Sequence, residues 1–407
     1  MSISRRTLLA SATAASAIPL GRARAQAAQT IKIGCLTDMS GPYKDLAGPG
    51  AVAAVHQAIE ESGIEAKGIK IEVLAADHLN KPDVGVGVVR QWFDRDGVDL
   101  VVEVANSGVA LAVAGVAKEK NKVYLNSGAA TSDLTSSACN ANTIHWVYDT
   151  FMLAKSTGGA MVKAGGDSWY FITADYAFGK ALTRDTSEFV TSAGGKVLGN
   201  VPYPFPGTTD FSSYLIQAQA SGAKVLGLSN AGTDTINTIK QAKEFGIKMR
   251  LAGLLLFLTD IHSLGLDVAQ GIVLTDSYYW DHSDQTRAFA NRIMPKMNGA
   301  RPTMIQAGVY SSTLHYLKTV ADMGAAGAKA DGAATVARLK KMPTQDDCFG
   351  TGLIRADGRK IHPSYLWEVK KPSESKGAWD YYKPLAETPA DQAFRPMDQG
   401  ACPLVKA

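Results

Sequence analysis

Short, near-continuously apolar runs alternate with helical patterns along almost the whole chain, and this alternation constrains the fold more than any other feature. IKIGCLTDM (31–39), IKIEVLAAD (69–77), VDLVVEVA (98–105) and KVYLNS (122–127) read as buried strands. Helical patterns separate them: about Gly50 to Ser62, then PDVGVGVVRQWFDRD (82–96), whose Pro82 suits a first helical turn, then GVALAVAGVAKEK (108–120). Strands that are apolar throughout, with helices between them, point to a parallel sheet covered on both faces. The order restarts after about residue 150. SWYFIT (168–173), GKVLGNVPY (195–203), AKVLGLSN (223–230), MRLAGLL (249–255) and QGIVLTDSYYW (270–280) read as strands, the first four with helical patterns among them. Further helices are expected at 284–298, 303–323 and 331–341, strands near 350–354 and 364–370, and a surface tail from Lys371. A chain of 407 residues, 46% of them hydrophobic, is too long for one compact core. The reading is α/β, with two doubly wound parallel-sheet lobes.

The first 25 residues are expected to be a signal peptide. Arg5 and Arg6 precede a short apolar stretch from Leu8 to Leu20, and Ala23-Arg24-Ala25 has the small-residue pattern of a cleavage site. Ser4-Arg5-Arg6-Thr7-Leu8-Leu9 fits a twin-Arg export signal, and an ordinary Sec signal remains open. Four of the 42 basic residues lie in this segment, which leaves 38 against 38 acidic residues. The mature chain is therefore expected to be neutral, without the charge of a nucleic-acid binder. The longest later apolar run, LAGLLLFL (251–258), is far too short to span a bilayer, so direct membrane insertion is not expected. The expected location is the periplasm, where disulfides can form. Cys35, Cys139, Cys348 and Cys402 allow three pairings, and sequence alone does not choose between them. Cys35 lies in a strand pattern, whereas Cys139 and Cys402 sit among turn residues that suit a surface bridge.

Ligands of doubly wound sheets bind beyond the carboxyl ends of the strands. Five loops hold that position: TDMSGPYKDLAGPG, EVANSG, NSGAATSDL, ITADYAFG and LSNAGTDT. Each mixes Gly or Ala with Ser, Thr, Asn or Asp and then opens a helix. Helix capping explains part of this pattern. Five such loops on one edge also make an anion site, because helix N-termini offer unpaired amides and small residues let an anion reach them. Other chemistries find less support. GPGAVA (48–53) fits a dinucleotide fingerprint but lies too far from its strand, so it reads as a helix start. GLSNA (227–231) approaches a nucleophile elbow around Ser229 but lacks the last Gly. The seven His are scattered without metal-ligand spacing; no metal and no cofactor is expected.

In order and spacing, IKIGCLTDMSGPY, DHLNKPDVGVGVVRQWFD, VYLNSGAATSDLTSSACNANTIHWVYDT, FITADYAFGKAL, TDFSSYLIQAQASGAKVLGLSNAG and KKPSESKGAWDYYK resemble the branched-chain-amino-acid-binding (leucine-binding) family of extracytoplasmic solute-binding proteins of ABC importers, of type I fold. The resemblance covers nearly all of the mature chain. It implies two lobes joined by three crossovers near 149, 276 and 346. Lobe 1 would be 26–148 plus 277–345, lobe 2 would be 149–276 plus 346–370, and 371–407 the tail. It implies a non-enzymatic monomer that grips a small carboxylate between closing lobes and passes it to an ABC permease.

Carried over residue by residue, the carboxylate would meet Asn106 and Ser107 after the third strand, and Ala129 and Thr131 after the fourth. Gly128, Ala129 and Ala130 would stay small so that their amides reach the anion. Asp175 and Tyr176 would close from the second lobe with Asn230 and Ala231 beside them, while Ser40 and Tyr43 would form the rim. The resemblance also implies a Cys139–Cys402 bridge that ties the tail to the first lobe, leaving Cys35 and Cys348 free and buried. One departure bears on the ligand. Amino-acid binders of the family hold the ammonium partly with an acidic residue after the strand at 250–253, where this chain has Gly253-Leu254-Leu255-Leu256-Phe257-Leu258. An ammonium facing that wall, Phe257 included, would be unpaired and costly. An organic acid with an apolar or aromatic body is therefore expected. The alternative is a branched-chain or other amino acid, with Asp175 or Asp260 available to its ammonium. A sensory ligand domain and a secreted hydrolase are further alternatives.

Overall fold

The computed structural model describes residues 29–405; the expected signal peptide lies outside the described residues. The first half builds a sheet from β1 (Thr30–Thr37), β2 (Lys70–Asp77), β3 (Leu100–Glu103), β4 (Val123–Asn126) and β5 (Thr143–His145). Their order is β2-β1-β3-β4-β5, every pair parallel. β3 and β4 are buried at every residue, the pattern of strands covered on both faces. Helices α1 (Gly48–Ser62), α2 (Pro82–Gln91) and α3 (Ser107–Glu119) supply the crossovers. Pro49 sits in the first turn of α1, where its missing N–H costs nothing. Asn106 caps α3 by accepting from the amides of Gly108 (2.9 Å) and Val109 (3.1 Å).

The second sheet has seven strands. β6 (Ser168–Ala174), β7 (Lys196–Tyr203), β8 (Val225–Ser229), β9 (Arg250–Ala252) and β10 (Val273–Asp276) are parallel. Helices α4 (Ala177–Ser192), α5 (Ser212–Ala220) and α6 (Thr233–Glu244) lie among them. After β10 the chain returns to the first sheet with α7 (Asp284–Ile293) and the long α8 (Met304–Met323), which packs on α1. β11 (Thr344–Asp346), β12 (Gly350–Ile354) and β13 (Lys360–Ile361) form a small antiparallel sheet. β14 (Ser364–Val369) then pairs antiparallel with β10, and β15 (Tyr382–Thr388) pairs with β14 as the edge.

Two details differ from the sequence reading. The third passage between the halves was placed near 346, yet β11 to β13 stay with the first half. Arg359 bridges to His145 at the end of β5, and its buried guanidinium bonds to the Val147 carbonyl and to Asp149 Oδ2 (3.4 Å). The third passage lies between β13 and β14. The tail was expected to lie along the surface; it holds β15, mostly exposed, whose pairing with β14 the sequence did not show. Cys139 and Cys402 are bridged with Cα atoms 5.6 Å apart, while Cys35 and Cys348 are free and buried. Among the described residues no helix is long and apolar enough to cross a membrane.

Candidate ligand cleft

The carboxyl ends of both sheets face each other across a small cavity. From the first half its wall is Tyr43, Leu46, Ala105, Gly128, Ala130 and Tyr148; from the second it is Tyr176, Phe178, Ala231, Leu255 and Phe257. Every one of these residues follows the end of a parallel strand, which is where crossover loops leave backbone amides unpaired. The cavity leaves little open space, about 10 Å³ for the centre of a water-sized molecule.

Asp38 builds the first wall. Its carboxylate accepts from the amides of Ser40 (3.3 Å), Gly41 (2.6 Å) and Tyr43 (2.8 Å) and from Asn80 Nδ2 (2.7 Å). The loop after β1 is thereby wound around one buried acid, and Tyr43 is aimed across the cleft. Its hydroxyl meets that of Tyr176 at 2.5 Å. Tyr176 stacks on Phe205 with ring centroids 4.4 Å apart, and Tyr43 lies 5.6 Å from the same ring. Burial pushes both phenols above their ordinary range, so both stay neutral hydrogen-bonding groups. A second contact across the cleft joins the Thr233 amide to the Pro42 carbonyl at 3.2 Å. Tyr148 packs edge-on against Phe257 at 5.9 Å and donates to the Gly128 carbonyl at 2.5 Å. The two halves are therefore in contact, with the cavity enclosed between them.

Of the residues named from sequence, Tyr43, Gly128, Ala130, Tyr176, Ala231, Leu255 and Phe257 line the cavity. Ala129 and Thr131 do not, and the reason is local. The Ala129 amide donates to Asn126 Oδ1 (3.1 Å), and the Thr131 amide to Ser107 Oγ (3.2 Å). The Thr131 hydroxyl accepts from the Asp133 amide (3.3 Å) as a helix cap. Between them, the amides of Gly128 and Ala130 meet no acceptor among the described residues. Asn106 and Ser107 are likewise spent on capping α3 and holding Thr131. Asn230 donates to Thr238 Oγ1 (3.2 Å) and accepts from Thr235 (2.7 Å), leaving its neighbour Ala231 on the wall. Ser40 bonds to Asp77 (2.6 Å) at the surface, and Asp175 pairs with Lys180 (2.9 Å). Sequence reasoning missed Asp38, although an Asp followed by Ser and Gly is a turn signal. It also missed Ala105 and Tyr148; the latter follows β5, a strand of three residues.

Buried acids surround the cleft. Asp234, at the start of α6, accepts from the Tyr203 hydroxyl (2.7 Å), and burial raises it to about 6. Asp260 accepts from the Phe257 amide (2.9 Å), and burial raises it to about 7. Neither is on the cavity wall. Glu103, at the end of β3, lies directly behind it. Its oxygens meet no donor in hydrogen-bonding geometry among the described residues. Burial raises it to about 8, offset only in part by the Thr37 hydroxyl and the Val104 and Ala105 amides, its polar neighbours. The backbone here is strained: φ is +81° at Glu103 and +67° at Val104, a conformation costing about 1–3 kcal/mol for each such residue.

Known proteins share this architecture. A family described as periplasmic binding protein matches residues 30–378. The chain is similar to a periplasmic binding protein of Burkholderia mallei, with 49% identity, a TM-score of 0.89, and coverage of 93% of this chain and 100% of that one. It is also similar to a branched-chain amino acid ABC transporter periplasmic ligand-binding protein of Burkholderia xenovorans LB400, with 40% identity, a TM-score of 0.80, and coverage of 92% and 99%. A curated relative, Leu/Ile/Val-binding protein homolog 4 of Brucella abortus (strain 2308), is 24% identical over 261 residues. That match spans 61% of this chain and 62% of the relative's length. With two parallel sheets meeting at their carboxyl ends around an enclosed cavity, and a family match over most of its length, the chain belongs to the periplasmic binding protein family.

Proposed function

We propose that this protein binds a small carboxylate between two lobes that close on it, and delivers it to an ABC permease without chemical change. One observation carries the reading: Gly128 and Ala130, whose amides meet no acceptor among the described residues, line a wall that is otherwise apolar or aromatic. Charge-assisted bonds from such amides contribute about 1.5–3 kcal/mol each, enough to replace lost hydration when several act together. The opposite wall is Leu255 and Phe257, with no carboxylate on it to receive an ammonium. The ligand is therefore an organic acid with an apolar or aromatic body. The lobes are 29–148 with 277–361, and 149–276 with 362–370, and the three passages between them act as the hinge. Hinged closure is a known mode for such pairs. The protein is exported by a Tat or Sec signal cleaved near Ala25, and acts as a periplasmic monomer.

A branched-chain amino acid is the second reading, supported by the names of the relatives from Brucella abortus and Burkholderia xenovorans. A thermal-shift panel of aromatic acids, fatty acids, leucine, isoleucine and valine tests both. A ligand at 100 times its dissociation constant adds about 2.7 kcal/mol of stability. A shift with benzoate and none with leucine is the expected result. Shifts with the amino acids alone favour the second reading, and no shift with any carboxylate overturns both.

A further inference from the structure

Behind the free amides lies a group that binding of an anion has to reckon with. A Cβ placed on Gly128 would stand 2.1 Å from Glu103 Oε1 and 2.8 Å from Ala105 Cα, so the carboxyl occupies the space that a side chain at 128 would take. Gly128 and Ala105 both line the cavity, and Glu103 sits between them, fully buried. The positive φ of Glu103 and Val104 directs the strand end into this turn. The titratable groups facing Glu103 are Cys35 and Asp38 from β1 and its loop, Tyr124 from β4, and Tyr148 after β5. Asp38 is an acid whose carboxylate is held by four donors, while burial pushes Cys35, Tyr124 and Tyr148 upwards and keeps them neutral. An ionised Glu103 in this setting would repel a second carboxylate held by the Gly128 and Ala130 amides.

We propose that Glu103 is a specificity-determining residue of the cleft, a carboxylic acid that keeps its proton behind the wall formed by Ala105 and Gly128, so that a carboxylate bound in the cavity meets no second negative charge. This deepens the carboxylate reading and rests on it. Buried acids in apolar sites stay neutral in this way. Loss of the proton then opposes binding, and affinity becomes dependent on pH.

The test is calorimetric titration of wild type and Glu103→Gln with benzoate and with leucine at pH 6, 7, 8 and 9. Gln keeps the shape and a donor but does not titrate. With Glu103 titrating at about 8, wild-type affinity for benzoate falls about tenfold from pH 7 to pH 9. Glu103→Gln binds benzoate within a few fold of wild type at pH 7 and is flat across the range. A carboxylic-acid C=O band at pH 7 in the infrared difference spectrum of wild type minus Glu103→Gln is the second expected readout, independent of ligand. An equal pH slope in both proteins, or absence of that band, overturns the role of Glu103 while leaving the carboxylate reading intact. Leucine binding that Glu103→Gln abolishes also overturns it, because Glu103 would then be the ionised partner of an ammonium. Absence of binding by either ligand to wild type at pH 6 overturns the carboxylate reading and this proposal with it.

Discussion

Gly232→Ala separates closure from folding. Gly232 precedes α6 with φ +60° and ψ −136°, and a Cβ there would lie 2.3 Å from the Pro42 carbonyl of the opposite lobe. It would also press on Tyr43 Cδ1 at 3.1 Å and Leu46 Cδ2 at 3.2 Å. Ordinary contact requires the lobes to part by roughly 1 Å at this point. That breaks the Thr233 amide bond (3.2 Å) and the Thr233 hydroxyl bond (3.3 Å) to Pro42. At about 1 kcal/mol each, the closed form loses about 2 kcal/mol, or roughly 30-fold in dissociation constant. The φ strain of Ala costs stability in the open and closed forms alike, so it leaves affinity unchanged. Gly246→Ala is the control, since its φ is +64° but nothing lies within 4 Å of the added Cβ. Both variants are expected to melt earlier, and only Gly232→Ala to bind weakly and remain extended with ligand in small-angle scattering. Affinity of Gly232→Ala within threefold of wild type would refute the contact at Pro42 as part of a closing latch.

Two further perturbations address neighbouring features. Tyr176→Phe keeps the stack on Phe205 but removes the hydroxyl contact to Tyr43; affinity is expected to fall about fivefold with little change in unliganded melting, measured by calorimetry. Cys402→Ser opens a bridge spanning 263 residues of sequence, and is expected to lower unfolding stability by about 2–4 kcal/mol in urea while leaving the ligand-induced shift intact.

How far the sequence could be read differs between the frame and the cleft. Strands such as β3 and β4 are apolar at nearly every residue, and helix patterns follow them, so the two parallel sheets and the location of the cleft at their carboxyl ends were legible in advance. Tyr43, Tyr176 and Phe257 were named through the family resemblance carried onto these loops. β5 has three residues and β13 two, too few to show a period, and the position of the third crossover came only from the resemblance. β15 is mostly exposed, and its polar composition resembled a tail.

The carboxylate loop shows the limit most clearly. NSGAATSDL announces small residues after a strand, yet nothing in the string distinguishes Ala129 from Ala130. That choice is made by Asn126 and Ser107, which take the amides of Ala129 and Thr131, while those of Gly128 and Ala130 meet no acceptor among the described residues. Glu103 reads as the end of an apolar strand and becomes a candidate only when Gly128 packs against it. Periodicity along the chain determined which segments are strands and helices, because burial of a face repeats with the geometry of each element. Which amide or acid faces the ligand was decided by the tertiary structure alone, because loops have no period and their orientation depends on side chains brought from other strands.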